Sequence, residues 1–286
     1  MGIKQYARGV LAALKSNVLA LDYPWSPKSR SHTAKPIYDV LLPILVQPMD
    51  GYHAFIQEIS THVDRYMQIP VTKSDGADDI YWKNGFLPGL DIVSIYAIIA
   101  HLNPNKIIEI GSGHSTAVMR KAIVDHELQS HITCIDPTPR RDITGLADHC
   151  IKESLEALSD HSMFFNLSPG DVVFFDGSHI ALPNSDVTVF FMEILPHVPA
   201  GVYVQVHDIY LPYDYPEDMA QRGYNEQYLL AQALMYQQDK FKIKWPSFWI
   251  FKQLELQSML ESKLWSKLKD KGIETHGCSL WFKVIR

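Results

Sequence analysis

From about residue 90 to the end, the sequence alternates short apolar segments with amphipathic ones, and this pattern constrains the fold most strongly. The first apolar segment, 106–110, is followed by Gly111 and Gly113 and then by a segment with helical periodicity. Strands that are apolar throughout belong to parallel sheets covered on both faces. Strand–helix alternation with short turns therefore predicts an α/β fold with a doubly wound, Rossmann-like sheet.

The same pattern predicts the individual elements. Predicted strands cover residues 106–110, 131–135, 148–151, 171–175, 201–206, 241–245 and 279–285. Predicted helices cover 92–102, with Asp91 as its N-cap, and 115–125, 154–165, 187–195, 225–238 and 253–271. The last of these is basic, and we interpret it as a solvated face.

Residues 1–80 differ from the rest of the chain because they lack strand alternation. Helix-like segments at 4–21 and 52–66 are separated by several prolines, and a polar turn at 73–79 follows them. This pattern predicts an N-terminal helical extension or cap over 1–80 and a main domain over 81–286.

Composition excludes several classes of protein. The net charge of −6 argues against a broad phosphate-binding surface, so we expect no nucleic-acid partner. No stretch approaches the roughly 18 apolar residues of a membrane span, so we expect no stable membrane insertion. The 3 cysteines form no CxxC pair, which indicates free thiols rather than a disulfide framework or a zinc site. We expect a cytoplasmic protein.

Polar residues cluster where the predicted strands end, and ligands of doubly wound sheets bind beyond those ends. Gly111 permits a tight turn, and Gly113 lets the backbone approach a ligand. Glu109, two residues before this turn, favours a cationic ligand over a phosphate. S-adenosylmethionine (SAM) carries both an ammonium and a sulfonium group, and Asp136 at the next strand end can accept both ribose hydroxyls.

These considerations define a predicted cofactor site. Its residues are Glu109, Gly111, Ser112, Gly113, Ser115, Thr116, Asp136, Glu153 and Asp176. Glu153, with its neighbours Lys152 and Ser154, follows the third strand and is the predicted adenine contact.

A second group follows strands four and five and carries the candidate chemistry. We predict Asp176, His179, His207 and Asp208 as catalytic residues. Methyl transfer to oxygen needs in-line positioning and removal of a proton, and histidine suits that transfer near neutral pH. His179 or His207 is the predicted general base. The alternative is Mg²⁺ or another divalent metal held by Asp176 and Asp208, with or without a histidine, which would lower the pKa of the acceptor hydroxyl.

Five motifs in order carry a resemblance to a known family. They are Glu109-Ile-Gly-Ser-Gly-His-Ser-Thr116, Cys134-Ile-Asp-Pro137, Phe175-Asp-Gly-Ser-His179, His207-Asp-Ile209 and Asn225-Glu-Gln-Tyr-Leu-Leu230. From about Trp82 to Leu234 the chain resembles the methyltransferase-24-like group of class I SAM-dependent methyltransferases, which is related in fold to sugar and macrolide O-methyltransferases.

The resemblance implies a seven-stranded sheet whose last strand is antiparallel, and SAM as the cofactor. It also implies that Glu109, Gly111 and Gly113 lie at the methionine part of SAM and that Asp136 lies at the ribose. Members of the group often have Ser where Gly177 stands and His where Gln205 stands. In metal-dependent sugar O-methyltransferases, two acids stand where this chain has His207 and Asp208.

The predicted function is SAM-dependent O-methylation of a small-molecule or carbohydrate acceptor. One alternative is an NAD-dependent oxidoreductase, which Glu109 disfavours, as does Thr116 where a third glycine is expected. Another is a non-catalytic interaction protein with the same fold, which the retained polar strand ends disfavour. The aromatic segment 210–216 is a candidate substrate wall, and 82–86 a candidate cover for the cofactor. Homo-oligomer formation is left open.

Overall fold

The computed structural model describes residues 26, 28, 30, 36–73 and 80–286. The predicted helix at 4–21 lies outside the described residues, as does most of the polar turn predicted at 73–79.

One seven-stranded sheet organises the chain, in the order β3-β2-β1-β4-β5-β7-β6. The strands are β1 Lys106–Ile110, β2 His131–Ile135, β3 His149–Ile151, β4 Val172–Phe175, β5 Tyr203–Val206, β6 Phe241–Pro246 and β7 Leu280–Val284. Strands β1 to β5 pair in parallel, whereas β7 pairs antiparallel with both β5 and β6. The doubly wound fold and the antiparallel last strand are confirmed.

Some helices precede the first strand, and the others lie in the connections between strands. They are α1 Leu42–Val46, α2 Met49–Thr61, α3 Val63–Met67, α4 Gly89–Leu102, α5 His114–Asp125, α6 Ser162–Phe165, α7 Asp186–Val189, α8 Glu217–Gln221, α9 Glu226–Tyr236, α10 Ser247–Lys252, α11 Leu254–Leu260 and α12 Ser266–Leu268. The predicted helix 187–195 is instead α7 followed by a π turn at Phe190–Ile194 and a 3-10 turn at Leu195–His197. The predicted helix 52–66 is divided between α2 and α3, with His62 between them.

The continuous helix predicted over 154–165 is wrong. The chain forms a 3-10 turn at Leu155–Ala157 and starts α6 only at Ser162. The Asp160 carboxylate accepts hydrogen bonds from the Ser162 backbone N–H at 2.8 Å and from its hydroxyl at 2.6 Å. Such local bonds compete with the helical ladder and restart the helix after the interruption.

Asp91 is not the N-cap that the sequence predicts. Helix α4 begins at Gly89, with Pro88 at the cap position, so Asp91 lies inside the first turn. Its side chain is fully buried and accepts hydrogen bonds from Cys278 and Ser279, next to β7. The residue therefore joins α4 to the far end of the chain instead of starting the helix.

The helices of residues 42–67 share the core of the sheet. The ring of Trp245 in β6 lies edge-on to Phe55, with centroids 4.8 Å apart, and to Tyr52 at 6.2 Å. One continuous apolar cluster includes these residues and the central strands. The division of the chain at residue 80 stays a prediction.

The segment predicted as one basic helix over 253–271 is helical but not merely solvated. It consists of α11, a π turn at Glu261–Trp265, α12 and a 3-10 turn at Lys269–Lys271. Apolar side chains along it are buried, including Leu256, Leu260 and Leu264. In the part of the chain that the structure describes, no helix has the length and apolar character needed to cross a membrane.

Replacing Trp245 with Ala tests whether the N-terminal helices and the sheet form one folding unit. Because the side chain is fully buried between them, we expect a loss of about 3–5 kcal/mol in the free energy of unfolding. Urea unfolding followed by circular dichroism and by tryptophan fluorescence should give one coincident transition. Tyr236→Ala, at an 80% exposed position, is the matched control; two separate transitions would contradict the shared core.

Candidate active site

A cavity of about 450 Å³ opens at the carboxyl ends of β1, β2, β4 and β5. Its lining includes Gly111, Ser112, Gly113, Ser115, Asp136, Asp176 and His207, all of which the sequence predicts as site residues. Glu109, Thr116, Glu153, His179 and Asp208 are not part of that lining. The predicted set is therefore divided between residues at the cavity surface and residues beside or behind it.

The turn after β1 depends on two glycines with different roles. Gly111 has a φ of +76°, and a Cβ there would collide with the backbone oxygen of Asp176 after β4. A Cβ on Gly113 would meet no atom within 4 Å, and Gly113 lines the cavity. Gly111 thus permits the contact between two neighbouring strand ends, whereas Gly113 leaves space for a ligand.

Glu109 supports this turn from behind and is not part of the cavity lining, so its role as a ligand contact stays a prediction. Its carboxylate accepts hydrogen bonds from the hydroxyls of Ser115 at 2.5 Å and Thr116 at 2.6 Å, and from the Cys134 thiol at 3.1 Å. Burial raises the pKa of Glu109 to about 7, against the opposing effect of these donors. Thr116 is oriented in the same way, because its hydroxyl accepts a bond from Gly113 N at 2.9 Å.

Asp136 lies at the cavity surface with a fixed carboxylate. One oxygen accepts bonds from the backbone N–H and the hydroxyl of Ser112, both at 2.8 Å, and the other accepts from Thr138 N at 2.8 Å. The carboxylate connects the ends of β1 and β2. It is thereby held where an acceptor for ligand hydroxyls is expected.

The residues predicted to contact adenine are divided by the cavity surface, and the contact itself stays a prediction. Ser154, Leu155 and Glu156 line the cavity, but Lys152 and Glu153 do not. Strand β3 ends at Ile151, and the chain then enters a 3-10 turn whose buried member is Leu155. The turn directs the later residues toward the cavity and leaves Glu153 exposed.

The mouth of the cavity is aromatic and basic. Phe86 is 56% exposed, stacks on His114 with centroids 5.7 Å apart, and lies 5.3 Å from the Arg140 guanidinium. Burial lowers the pKa of His114 to about 4, assisted by the nearby Arg141, so this ring is neutral at physiological pH. Of the predicted covering segment 82–86, Phe86 reaches the cavity while Trp82 is buried beside it.

His179 lies beside the cavity in a buried acidic cluster. Its Nδ1 donates to the Glu226 carboxylate at 2.6 Å, and its Nε2 is 3.6 Å from both Asp176 and Asp208. Burial alone would lower the pKa of His179, but Glu226 and the two aspartates raise it to about 9. The ring stacks on Tyr224 with centroids 4.4 Å apart. The imidazole is therefore protonated at neutral pH.

Of the two histidines predicted as the general base, His207 is the one that lines the cavity. Its Nδ1 lies 3.5 Å from Asp208 and 3.7 Å from Asp176, and its Nε2 lies 3.5 Å from Asp91. Burial alone would lower the pKa of His207, yet Cys278, Asp176 and Asp91 raise it well above its ordinary value. The four predicted catalytic residues are therefore neighbours, with Asp176 and His207 at the cavity surface.

The predicted metal pair is not assembled as a metal site. Among the described residues, the one set of three donor atoms within 4.8 Å of one another comprises Asp91, His207 and Cys278. Asp176 and Asp208 belong to no such set. Asp208, with a φ of +53°, directs one oxygen toward the Cys278 thiol at 3.4 Å. The donor spacing therefore does not support a metal held by Asp176 and Asp208.

Three residues of the cluster are absent from the predicted site set: Asp91, which the sequence predicts as an N-cap, Glu226, which lies in the fifth motif, and Cys278. A weak signal exists for Asp91, since an acid stands inside a mainly apolar helix of 14 residues, 11 of which are buried. Gly177 stands where members of the resembling group often have Ser, and the structure gives a physical reason for the glycine. A Cβ there would collide with the Asp186 carboxylate, which accepts bonds from the backbone and hydroxyl of Ser178 at 2.6 and 2.5 Å.

Comparisons with known proteins agree with this geometry. A family model described as a methyltransferase domain matches residues 108–209. An uncharacterised protein of Archaeoglobus fulgidus is 33% identical over 88 residues, which cover 29% of this chain and 38% of that protein. The chain thus spans less than half the length of that relative. The predicted doubly wound fold is confirmed by the sheet itself, and the family match is limited to residues 108–209.

Solved structures with low similarity were also found. The SAH-bound methyltransferase PaMTH1 of Podospora anserina has 13% identity and a TM-score of 0.38, covering 85% of this chain and 91% of its own. An O-methyltransferase of Bacillus cereus in complex with SAH has 10% identity and a TM-score of 0.34, covering 87% and 97%.

The two turn glycines should respond differently to Ala. Gly111→Ala introduces a collision and an unfavourable φ, so we expect a loss of about 1–3 kcal/mol in unfolding free energy. Gly113→Ala should keep its stability, because its Cβ has open space, while reducing the room for a ligand. Thermal and urea unfolding of both variants measures this contrast. Equal destabilisation would contradict the distinct roles.

Glu226→Gln should flatten the pH dependence of stability. His179 has a raised folded pKa of about 9, so its stabilisation is complete below about pH 6.5 and disappears as pH rises through 9. Burial also raises the pKa of Glu226 to about 7 despite the presence of His179. The contribution of Glu226 to the free energy of unfolding therefore also decreases as pH rises toward 7. Urea unfolding between about pH 6 and pH 10 should show a smaller loss in the variant than in the wild type. Parallel pH curves would rule out the ion pair as its source.

Proposed function

We propose that this chain binds SAM in the cavity beyond β1 and β2 and transfers the methyl group of SAM to an oxygen of a small molecule or sugar. The match of residues 108–209 to a methyltransferase-domain family supports this proposal. The single observation that carries the proposal is the cavity floor. There the Gly111–Gly113 turn and the oriented Asp136 carboxylate meet at the ends of adjacent parallel strands. That position is where nucleosides bind in doubly wound sheets.

The residues present fit an adenosyl ligand. The space beside Gly113 is open, and the N-terminus of α5 directs backbone N–H groups toward it, which suits a carboxylate. Asp136 offers carboxylate oxygens toward the ribose position, and Leu155 offers an apolar surface for the adenine. The cofactor would supply an electrophilic methyl group on a sulfonium, and the Asp176 carboxylate at the cavity surface would favour that positive charge.

Within this proposal His207, rather than His179, is the general base. His207 lines the cavity, whereas His179 does not and its Nδ1 is engaged by Glu226. The raised pKa of His207 makes the ring a stronger base once it is deprotonated. The rate should therefore increase as pH rises through that pKa. The rest of the task is positioning, since methyl transfer needs in-line approach of the acceptor oxygen.

Aromatic residues beside the cluster support a ring-shaped acceptor. Tyr210, Tyr213, Tyr215 and Phe248 form a second apolar cluster together with Cys278. These rings are buried and none of residues 210–216 lines the cavity. The aromatic surface beside the cluster is that of half-buried Tyr224, which packs against them and stacks on His179. Aromatic faces pack well against flat rings and the apolar faces of sugars. The acceptor would approach from this side, opposite Asp136.

Calorimetric titration separates the proposed cofactor from the alternative dinucleotide. We expect S-adenosylhomocysteine to bind and NAD not to bind. Asp136→Asn should weaken S-adenosylhomocysteine binding by about tenfold, since a charged hydrogen bond contributes about 1.5–3 kcal/mol. Lys152→Ala, outside the cavity lining, is the control and should bind as the wild type does. Binding of NAD alone would overturn the proposal.

Incubation with SAM and a panel of hydroxylated aromatics and sugars then tests the reaction. Mass spectrometry should detect one added methyl group on an acceptor, formed together with S-adenosylhomocysteine. With such an acceptor, His207→Asn should lower the rate about 100-fold or more, in the range of general-base catalysis. Unchanged activity of this variant would exclude His207 as the base.

A further inference from the structure

The Asp91 carboxylate lies at the inner end of the active-site cluster, although it comes from α4 and precedes the matched family segment. One oxygen accepts a bond from the Cys278 backbone N–H at 2.7 Å. The other accepts from the Ser279 hydroxyl at 2.5 Å and from its N–H at 3.3 Å. Burial alone would raise the pKa of Asp91, but His207 and these donors hold it below the ordinary value. The buried group therefore remains a carboxylate.

The two ring nitrogens of His207 face different surroundings. Nε2 is directed into the protein, 3.5 Å from Asp91 and 3.7 Å from the Cys278 thiol. Nδ1 is directed toward Asp208 and toward Asp176, which lines the cavity. Nδ1 also faces carboxylates, but the side chains of Asp208 and Asp176 are 15% and 31% exposed, whereas that of Asp91 is fully buried. Water therefore screens the charge of Asp91 least, which favours a hydrogen on Nε2. The geometry therefore distinguishes the two tautomers of the neutral ring.

We propose that Asp91 is the positioning residue for His207, holding the Nε2 hydrogen toward the protein interior so that Nδ1 is presented toward Asp176 and the cavity. This inference deepens the proposed function and rests on it for its purpose, since a base must carry its free lone pair on the substrate side. A neutral imidazole has one donor and one acceptor nitrogen, so fixing the first fixes the second. Asp91 itself does not line the cavity.

The same three groups have the spacing of a metal site, but their chemistry favours the positioning role. Both oxygens of Asp91 already accept hydrogen bonds from protein donors. Burial raises the pKa of the Cys278 thiol, whereas a metal ligand must be a thiolate. We therefore expect no metal at Asp91, His207 and Cys278, and the experiment below tests this by adding zinc.

Acidic groups approach the His207 ring from four elements. They are Asp91 from α4, Asp176 after β4, Asp208 after β5 and Cys278 before β7. Asp91 is the fully buried carboxylate of this set and is the one beside Nε2. Without it, burial should lower the pKa of His207 by about one pH unit or more. The tautomer preference should weaken at the same time.

The experiment uses the full chain labelled with ¹⁵N-histidine, with ring signals followed by NMR as pH is raised. The signal of residue 207 is assigned by its loss in His207→Asn. In the wild type, we expect titration above the ordinary histidine range and a neutral ring protonated at Nε2. Asp91→Asn should shift the titration to lower pH by about one unit and mix the tautomers. Ser247→Ala is the control, since it removes a buried hydrogen bond to Ser279 at 2.9 Å and leaves the Asp91 charge intact.

The outcomes separate this inference from the proposed function. If Asp91→Asn lowers the melting temperature but leaves the His207 titration and tautomer unchanged, Asp91 is only structural and the inference is wrong. A shift of the His207 signals on adding stoichiometric ZnCl₂, absent in Asp91→Asn, would assign a metal site and also overturn it. Absence of S-adenosylhomocysteine binding would defeat the proposed function alone, because the NMR comparison requires no cofactor or acceptor.

Discussion

The close contact between the turn after β1 and the chain after β4 is the constraint on which the rest of the site depends. Gly111 lies against the backbone oxygen of Asp176, so any side chain at this position would force the two strand ends apart. Glu109 supports the turn from behind through two hydroxyls. With the turn fixed, Ser112 reaches Asp136, and the cavity floor spans three adjacent strands.

Buried charge defines the chemical side of the cavity. Two imidazoles and four carboxyl groups meet at the ends of β4 and β5 and at the starts of α4 and α9. They belong to His179, His207, Asp91, Asp176, Asp208 and Glu226. A fifth carboxyl group, that of Glu109, lies beneath the glycine turn. Removing charges from water is expensive unless each charge is paired or loses its ionisation. Here both responses occur, because His179 and His207 retain protons while Glu226 and Glu109 have a raised pKa. Clusters of shifted pKa values such as this one are typical of functional sites.

The cluster also explains why the last part of the chain is needed for the site. Cys278 and Ser279 hold Asp91 by hydrogen bonds, and β7 then enters the sheet between β5 and β6. The start of α4 and the segment that enters β7 are thereby held together where the parallel strands end, next to His207. A segment that lies far from the glycine turn in sequence thus shapes the surroundings of His207.

Much of this architecture follows from the sequence by itself. Apolar segments bounded by turns determined β1 and β2 to the residue, and the order of glycine and acidic motifs placed the cavity beyond them. Local periodicity reports burial, so it identifies strands and the residues that end them. It does not report which distant side chains will meet. Only the tertiary structure decided that Glu109 supports the turn through Ser115, that Glu226 pairs with His179, and that Asp91 faces His207. Each depends on contacts between distant segments, and the energy of a buried charge is set by those neighbours and not by its position in the sequence.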